Sequence, residues 1–299
     1  MREKSWEIRR ADAADLPEIV DIWYRSEVDE SAESLPYPAQ PPAMFRHLMA
    51  TADVRVAVDA GEVIGFAVVA SRGDLHNLAL MFVRAERQSA GVGRALLRAL
   101  LPPSSGVYCT GASNDPRAQS LYIRAGMRPR WPLYHLLGDL TTLAPLESDI
   151  RVEPADVAGA RFPAWDRAAS GQGRPQDLAA LGTLFPAQPL LFVQDDAALG
   201  YGVVHTASDV VLAAPDAFAL GPLGAVTQAA SVACTLAAVR WASSQPEARL
   251  LRVALPGPHP ALAALLEVGF RIVYVEQFMA SAEAPFDPRR YIPFGSGLL

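Results

Sequence analysis

A short loop, Gln88-Ser89-Ala90-Gly91-Val92-Gly93-Arg94, combines two glycines with the start of an apolar helical pattern. Glycines let a backbone approach a ligand closely, and the first turn of a helix offers N–H donors that have no partner within the helix. Together with the helix dipole, these groups bind phosphate without a lysine. A glycine turn packed on a sheet is the simpler alternative. The preceding apolar strand, the glutamine and the amphipathic helix favour a phosphate cradle.

The elements around the loop predict an α/β chain with a mixed sheet. An apolar run, LALMFV, precedes the loop, and the helical pattern GVGRALLRALL follows it. Upstream, two β-branched runs flank Ala60-Gly61, which is a hairpin signal. Downstream, a strand leads to a helix that begins at Asp115-Pro116 and ends at Gly126. The order is βα, three strands, then αβαβ, which indicates a largely antiparallel sheet with a few crossovers.

The second half of the chain repeats the first. Ala155-Asp156 follows Ala11-Asp12 by 144 positions, and LLEVGF at 265–270 follows YIRAGM at 122–127 by 143 positions. GYGVVHT matches GFAVVAS 135 positions earlier, and Gln228 lies 140 positions after Gln88. Matches in the same order at similar offsets indicate duplication of a whole unit. The sequence therefore predicts two tandem domains, residues 1–142 and residues 143–299.

Composition excludes several classes of function. The net charge is −6 without a basic tract, so nucleic acid is not an expected partner. No apolar run approaches the roughly 20 residues that span a membrane, and the N-terminus carries no secretory signal, so we expect a cytoplasmic protein. Two cysteines outside any CxxC pair and five scattered histidines predict no metal site. Nothing in the sequence specifies an oligomeric state.

The loop and a second motif resemble a known family. Gln88-x-x-Gly91-x-Gly93 after a strand is similar to the Q/R-x-x-G-x-G/A motif of the GNAT superfamily of N-acetyltransferases, and Leu121-Tyr122 through Gly126-Met127 resembles the family's helix end. The resemblance covers about residues 6–140. It implies acetyl-CoA as co-substrate and the amine of a small molecule as acceptor. Ala85 and Ala90 stand where the family often has proline and basic residues.

The resemblance also implies roles for individual residues. The cofactor's pantetheine arm would lie beside Met81, Phe82 and Val83, and Asn114 would stand near the cofactor. The hydroxyl of Tyr122 would protonate the leaving thiolate, unless Tyr122 is a core residue of its helix. Some members of the family place a glutamate base before the cradle, where this chain has Asn77.

For the base, the sequence leaves several candidates. An amide cannot act as a base, so the neighbouring His76 is the first candidate, although a strand-end histidine satisfied by solvent is an equal interpretation. Asp74 and Glu86 are weaker candidates, and a chain of water molecules could replace a side-chain base.

In the second half, Ser231 replaces the first cradle glycine and Leu265 stands where Tyr122 would be. This pattern predicts a degenerate GNAT-like domain, with a weak second CoA site as the alternative. For the whole chain, the leading hypothesis is a small-molecule N-acetyltransferase. A non-catalytic acetyl-CoA-binding or regulatory module and a protein N-acetyltransferase are the alternatives.

Overall fold

The fold is built on one mixed β-sheet flanked by helices on both faces, which confirms the α/β class. It is seen in a computed structural model that describes residues 5–30, 37–101, 106–146, 148–157, 159, 161–206 and 217–295. Within these residues, thirteen strands form the sheet.

The first half contains six strands and four α-helices. In chain order they are β1 (Trp6–Arg10), α1 (Leu16–Glu30), α2 (Ala43–Thr51), β2 (Asp53–Asp59), β3 (Glu62–Arg72), β4 (Leu75–Val83), α3 (Val92–Leu100), β5 (Val107–Ala112), α4 (Pro116–Arg124) and β6 (Arg128–Asp139). Short 3-10 turns precede α1 and α3.

The second half repeats this order. Its elements are β7 (Arg151–Pro154), α5 (Arg161–Ser170), α6 (Pro175–Ala180), β8 (Ala187–Gln194), β9 (Ala197–His205), β10 (Ala217–Ala225), α7 (Gln228–Ser243), β11 (Leu250–Pro256), α8 (Ala261–Glu267), β12 (Arg271–Ala280) and β13 (Tyr291–Ile292). The strand order across the sheet is β1-β2-β3-β4-β5-β12-β6-β11-β10-β9-β8-β7, and β13 pairs with β10.

Local sequence signals account for several of these boundaries. Ala60 and Gly61 both have positive φ, 51° and 90°, as a tight hairpin turn between β2 and β3 requires. The Asp115 carboxylate accepts the N–H of Arg117 at the start of α4, Pro116 occupies the first turn, and Gly126 follows the helix with φ 95°. The predicted hairpin and helix ends are therefore confirmed.

The last strands of the two halves are interleaved. Strand β12 of the second half lies between β5 and β6 of the first half, and β6 lies between β12 and β11. Both contacts of β12 are antiparallel: Gln277 is opposite Ala112 on β5, and Glu276 is opposite Leu133 on β6. The two sequence repeats thus share one continuous sheet, and each donates a strand to its partner's side.

Apolar clusters on the two faces hold this arrangement together. Helices α3 and α4 cover one face of the first half, and α7 and α8 cover the corresponding face of the second. On the opposite face, one cluster crosses between the halves: Trp131 on β6 stacks on Phe278 on β12 at 4.7 Å between ring centroids, and Ala43 of α2 belongs to the same cluster as Phe162 of α5. Burial of this surface joins the halves, because apolar area removed from water is the main stabilising term.

A buried ion pair links the halves as well. Asp177 on α6 accepts two hydrogen bonds from Arg72 on β3, both 2.7 Å, and lies 2.6 Å from Nε2 of His47 on α2. Burial by itself would raise the pKa of the Asp177 carboxyl. The hydrogen bonds from His47 and Arg72 outweigh burial and lower that pKa to about 2.

No helix in the described ranges is long and apolar enough to cross a membrane. Within the same ranges, no three His, Cys, Asp or Glu side chains come together as a metal site would require.

Strand exchange predicts that neither sequence repeat folds alone. Residues 1–142 without β12 leave the edges of β5 and β6 unpaired, and residues 143–299 without β6 leave β11 and β12 unpaired. Expressed separately, each fragment should aggregate or melt without a cooperative transition. Co-expressed, the two fragments should copurify in equal amounts and melt cooperatively. A monomeric, cooperatively melting single fragment would contradict the interleaved sheet.

Replacing Asp177 should weaken the link between the halves. Asp177→Asn leaves the Arg72 guanidinium buried and unpaired, so the free energy of unfolding at pH 7 should fall by about 3 kcal/mol, with exposed Glu247→Gln as the control. The stabilisation by the carboxylate is complete above its ordinary pKa of 3.8 and is lost as the pH falls towards 2. Denaturant melts should therefore give a difference between wild type and variant that shrinks from pH 5 to pH 2.

Candidate active site

A cleft opens where β4 and β5 separate. These parallel strands pair only at Leu75–Asn77 with Val107–Cys109. The hydroxyl of Thr110 then donates to the carbonyl of Leu78 at 2.8 Å, and beyond this link the strands diverge. The resulting cleft has a volume of about 500 Å³, and Met81 and Val83 form its β4 wall. The end of β4, the loop before α3 and the residues of α4 therefore frame a space large enough for part of a cofactor.

The loop from β4 to α3 forms the end of this cleft. Gly91 precedes α3 with φ 88° and provides no side-chain cap, and Ser89 also has positive φ, 63°. The first N–H groups of α3, from Val92 onwards, have no acceptor within the helix. Such donors at a helix N-terminus are suited to the oxygens of a phosphate.

Four arginines surround the loop and add positive charge. Arg87 pairs with Asp59 and Arg117 pairs with Asp115, each at 2.9 Å. Arg94 and Arg124 also line the cleft, and neither forms an ion pair within the described ranges. These two guanidinium groups are therefore available to an anionic ligand, and Arg is well suited to phosphate.

The sequence did not single out Arg117 and Arg124, although their spacing of seven residues on α4 places both on one helix face. That spacing is the sequence feature from which these two arginines could have been identified.

The loop residues contribute mainly their backbones. The Gln88 amide donates to the carbonyl of Val83 at 3.3 Å and so holds the loop against β4. Val92 is 1% exposed and packs in the core, and Ala90 is exposed. Phe82 points to the opposite face of the sheet, where its ring lies 5.7 Å from that of Phe66. For Phe82 and Val92, only main-chain groups can face a ligand in the cleft.

Tyr122 lies beneath the cleft on α4. It is 5% exposed and packs in the cluster that also contains Leu78 and Met279, next to the point where the strands diverge. Burial raises the pKa of its hydroxyl, and the negative charges of Glu276 and Asp115 raise it further. The phenol is therefore protonated at neutral pH and can act as a proton donor.

Two other predicted residues lie elsewhere. The side-chain amide of Asn114 donates to the carbonyl of Val275 on β12 at 3.1 Å. This hydrogen bond links the segment before α4 to the exchanged strand. His76 stands at the closed end of β4, where its Nδ1 lies 2.8 Å from the Ser71 hydroxyl and its ring lies 5.2 Å from Tyr108. Seven residues of extended strand, about 23 Å, separate His76 from Val83 at the cradle end.

Asp74 lies next to His76 in the turn before β4, and Glu86 is exposed in the turn before the cradle. The structure brings none of His76, Asp74 and Glu86 beside Tyr122 in the core cluster that surrounds its ring.

The corresponding opening in the second half is filled by the chain itself. Strands β10 and β11 pair only from Ala217 to Leu220, and beyond that point β13 pairs with β10 at Leu223 and Gly224. Tyr291 and Ile292 of β13 are fully buried. The segment that ends in Phe294 thus lies along the strand edge that faces open space in the first half.

The second cradle is absent as well. Only Val226 and Thr227 connect β10 to α7, and the Thr227 hydroxyl caps the helix by accepting the N–H of Ala230 at 3.1 Å. Ser231 is fully buried and donates to the carbonyl of Gln228 at 2.7 Å. Leu265, the counterpart of Tyr122, is also fully buried. In the described residues this half has neither a phosphate loop nor a proton donor at the equivalent positions.

Comparison with known proteins identifies the first half. Residues 50–128 match the family model of the acetyltransferase (GNAT) domain, and this span includes β4, the cradle loop and Tyr122. The chain contains a GNAT domain. Domains of this family use acetyl-CoA as co-substrate and act as acetyltransferases, which agrees with the phosphate-binding geometry of the cleft. A sequence search of curated proteins gave no significant match.

Solved structures extend the likeness to the whole chain. A protein from Pyrococcus horikoshii assigned as an acetyltransferase aligns with a TM-score of 0.73 over 99% of this chain and 98% of its own, at 17% identity. A tandem GNAT protein from the clavulanic acid biosynthesis pathway aligns with a TM-score of 0.62 over 94% of this chain and all of its own, at 18% identity. At these identities the comparison establishes a shared fold.

The geometry of the loop before α3 predicts a substitution that weakens acetyl-CoA binding without destabilising the fold. Gly93→Asp puts a carboxylate among the free N–H donors of the GNAT domain, where it suits the helix dipole but repels phosphate. Acetyl-CoA affinity measured by calorimetry should fall by about 30-fold, or about 2 kcal/mol, without loss of thermal stability. Thr227→Asp, at the start of α7, is the matched control and should bind normally. Loss of binding only in that control would assign the cofactor to the second half.

Proposed function

We propose that this chain is an acetyl-CoA-dependent N-acetyltransferase in which the primary amine of a small molecule attacks the thioester directly. One observation carries the proposal: an open cleft at the end of β4 is lined by the start of α3 and by Arg94 and Arg124, and the buried, neutral Tyr122 lies beneath it. We further propose residues 1–142 as the acetyl-CoA-binding repeat and residues 143–299 as the degenerate repeat.

The cofactor would be held mainly by backbone groups. Its phosphates would accept hydrogen bonds from the N–H groups of Ser89–Arg94, and Arg94 and Arg124 would neutralise their charge. One edge of β4 pairs with β3 along Met81–Val83, while the other edge faces the cleft. The amides of the pantetheine arm would pair with this free edge as an added strand does.

In the transfer step, the amine nitrogen bonds to the thioester carbon and the carbon–sulfur bond breaks. A backbone N–H at the divergence of β4 would stabilise the negative oxygen that forms on the carbonyl. The Tyr122 hydroxyl would give its proton to the departing sulfur, because burial keeps the phenol neutral and close to the sheet. His76 is left out of this step because it stands at the closed end of β4.

Removing the Tyr122 hydroxyl should slow transfer and spare cofactor binding. We expect Tyr122→Phe to lower kcat by about 100-fold with primary amines, because the thiolate leaves unprotonated, while acetyl-CoA affinity stays within about twofold. Thiol release from acetyl-CoA gives the rates and calorimetry gives the affinity. Tyr108→Phe, at the closed end of the strands, is the control and should react normally.

Unchanged turnover in Tyr122→Phe would contradict the proton-donor role. Turnover of lysine-containing peptides in preference to small amines would replace the proposed acceptor class with proteins. Acetyl-CoA binding without transfer to either class would contradict the transferase proposal itself.

A further inference from the structure

A carboxylate and an imidazole meet where the two exchanged strands continue beyond the end of β5. Oε2 of Glu276 on β12 lies 2.8 Å from Nε2 of His135 on β6. The Glu276 side chain is 13% exposed and the His135 side chain is 30% exposed, so both are partly shielded from water. The pair joins the second half to the first, and nothing in the proposed mechanism above uses it.

The pair lies just beyond the carboxyl end of β5, near the start of α4, which lines the cleft. Gln277, the residue after Glu276, is opposite Ala112, the last residue of β5, and Asn114 is bonded to the carbonyl of Val275. Glu276 therefore lies where β5 ends and the sheet opens. It is also one of the two charges that raise the pKa of the Tyr122 hydroxyl, which indicates that the carboxylate is within electrostatic reach of the proposed proton donor.

Strand alternation puts Glu276 on the face of the sheet opposite Tyr122. Met279 packs with Tyr122 beneath α4, whereas Phe278 stacks on Trp131 on the other face. The pairing of β12 with β6 is regular from Tyr274 to Phe278, so Glu276 shares the face of Phe278. A molecule that reaches the thioester from the face not covered by α3 and α4 would pass this carboxylate.

The pseudo-symmetry between the two halves shows that the Glu276–His135 pair has no equivalent beside the filled cleft. Gly126 and Gly269, which precede the exchanged strands, are 143 positions apart. At that offset the counterpart of Glu276 is Leu133, and the counterpart of His135 is Phe278. The acid and the imidazole therefore lie beyond the end of β5 in the first half, whereas the equivalent positions at the second half hold two apolar side chains.

We propose that Glu276 is the residue of this site that binds the acceptor's ammonium group and takes its proton, with His135 as the positioning residue behind it. One Glu276 oxygen bonds to His135, and the other receives the proton that converts the ammonium to the attacking amine. Glu276 then releases that proton to water. The second proton lost by nitrogen, when the amide forms, returns through solvent to the phenol that protonated the sulfur. The inference rests on the transferase function proposed above and restricts its acceptors to cationic amines.

The test compares two acceptors that differ in charge at pH 7: phenethylamine, which is an ammonium ion, and hydroxylamine, which is neutral. Glu276→Gln should lower kcat/KM for phenethylamine by about 100-fold and change that for hydroxylamine by less than threefold. His135→Gln should give the same selectivity with a loss of about tenfold, confined to kcat. Exposed Glu267→Gln is the matched control from the same half and should match wild type with both acceptors.

The outcomes distinguish a failure of the Glu276 role from a failure of the proposed transferase function. Equal losses with both acceptors, or no loss with either, would overturn the role of Glu276 while leaving the transferase in place. If Glu276→Gln melts early, Glu276→Asp supplies the comparison: partial recovery with phenethylamine alone supports the role, and no recovery overturns it. If wild type binds acetyl-CoA but acetylates neither compound, both the proposed function and this inference fail.

Discussion

The hydrogen bonding of β12 between β5 and β6 is the constraint on which the rest of the structure depends. It converts two sequence repeats into one sheet, because each repeat is completed by the other's last strand. The stacked rings of Trp131 and Phe278 join the exchanged strands themselves, and the Asp177 ion pair adds a second contact between the halves.

The same topology produces an open cleft in one half and a filled one in the other because two local features differ. Eight residues connect β4 to α3 and leave room for the loop before that helix, whereas two residues connect β10 to α7 and Thr227 caps the helix directly. The free edge of β10 is then satisfied by β13, whose Tyr291 hydroxyl also accepts a hydrogen bond from buried Arg174. An unpaired strand edge is a ready template for another strand, and here the chain supplies its own.

What could be predicted from the sequence was local. The cradle, the hairpin at Ala60-Gly61 and the cap of α4 follow from glycine conformation and capping, which act over a few residues. The exchange could not be predicted, because β6 and β12 have similar patterns and their partners are chosen by contacts more than 100 residues away. Counting along β4 suggested His76 as a base. Position in the sequence does not reveal that the first residues of β4 lie where β4 and β5 are still paired. Nor does it reveal that the Asn114 side chain donates to the carbonyl of Val275.

The second half can serve the first without using its own cleft. Its contributions are β12, the Asp177 carboxylate and the Glu276 side chain, and none of these requires an open space between β10 and β11. Filling that space removes an exposed strand edge and buries Tyr291 and Ile292, so closure stabilises the sheet that carries the exchanged strand. A rigid second half also fixes β12 against β5, and a site that depends on a carboxylate from β12 needs that strand held still. The same packing therefore closes the cleft of the second half and holds in place the strand that brings Glu276 to the first half.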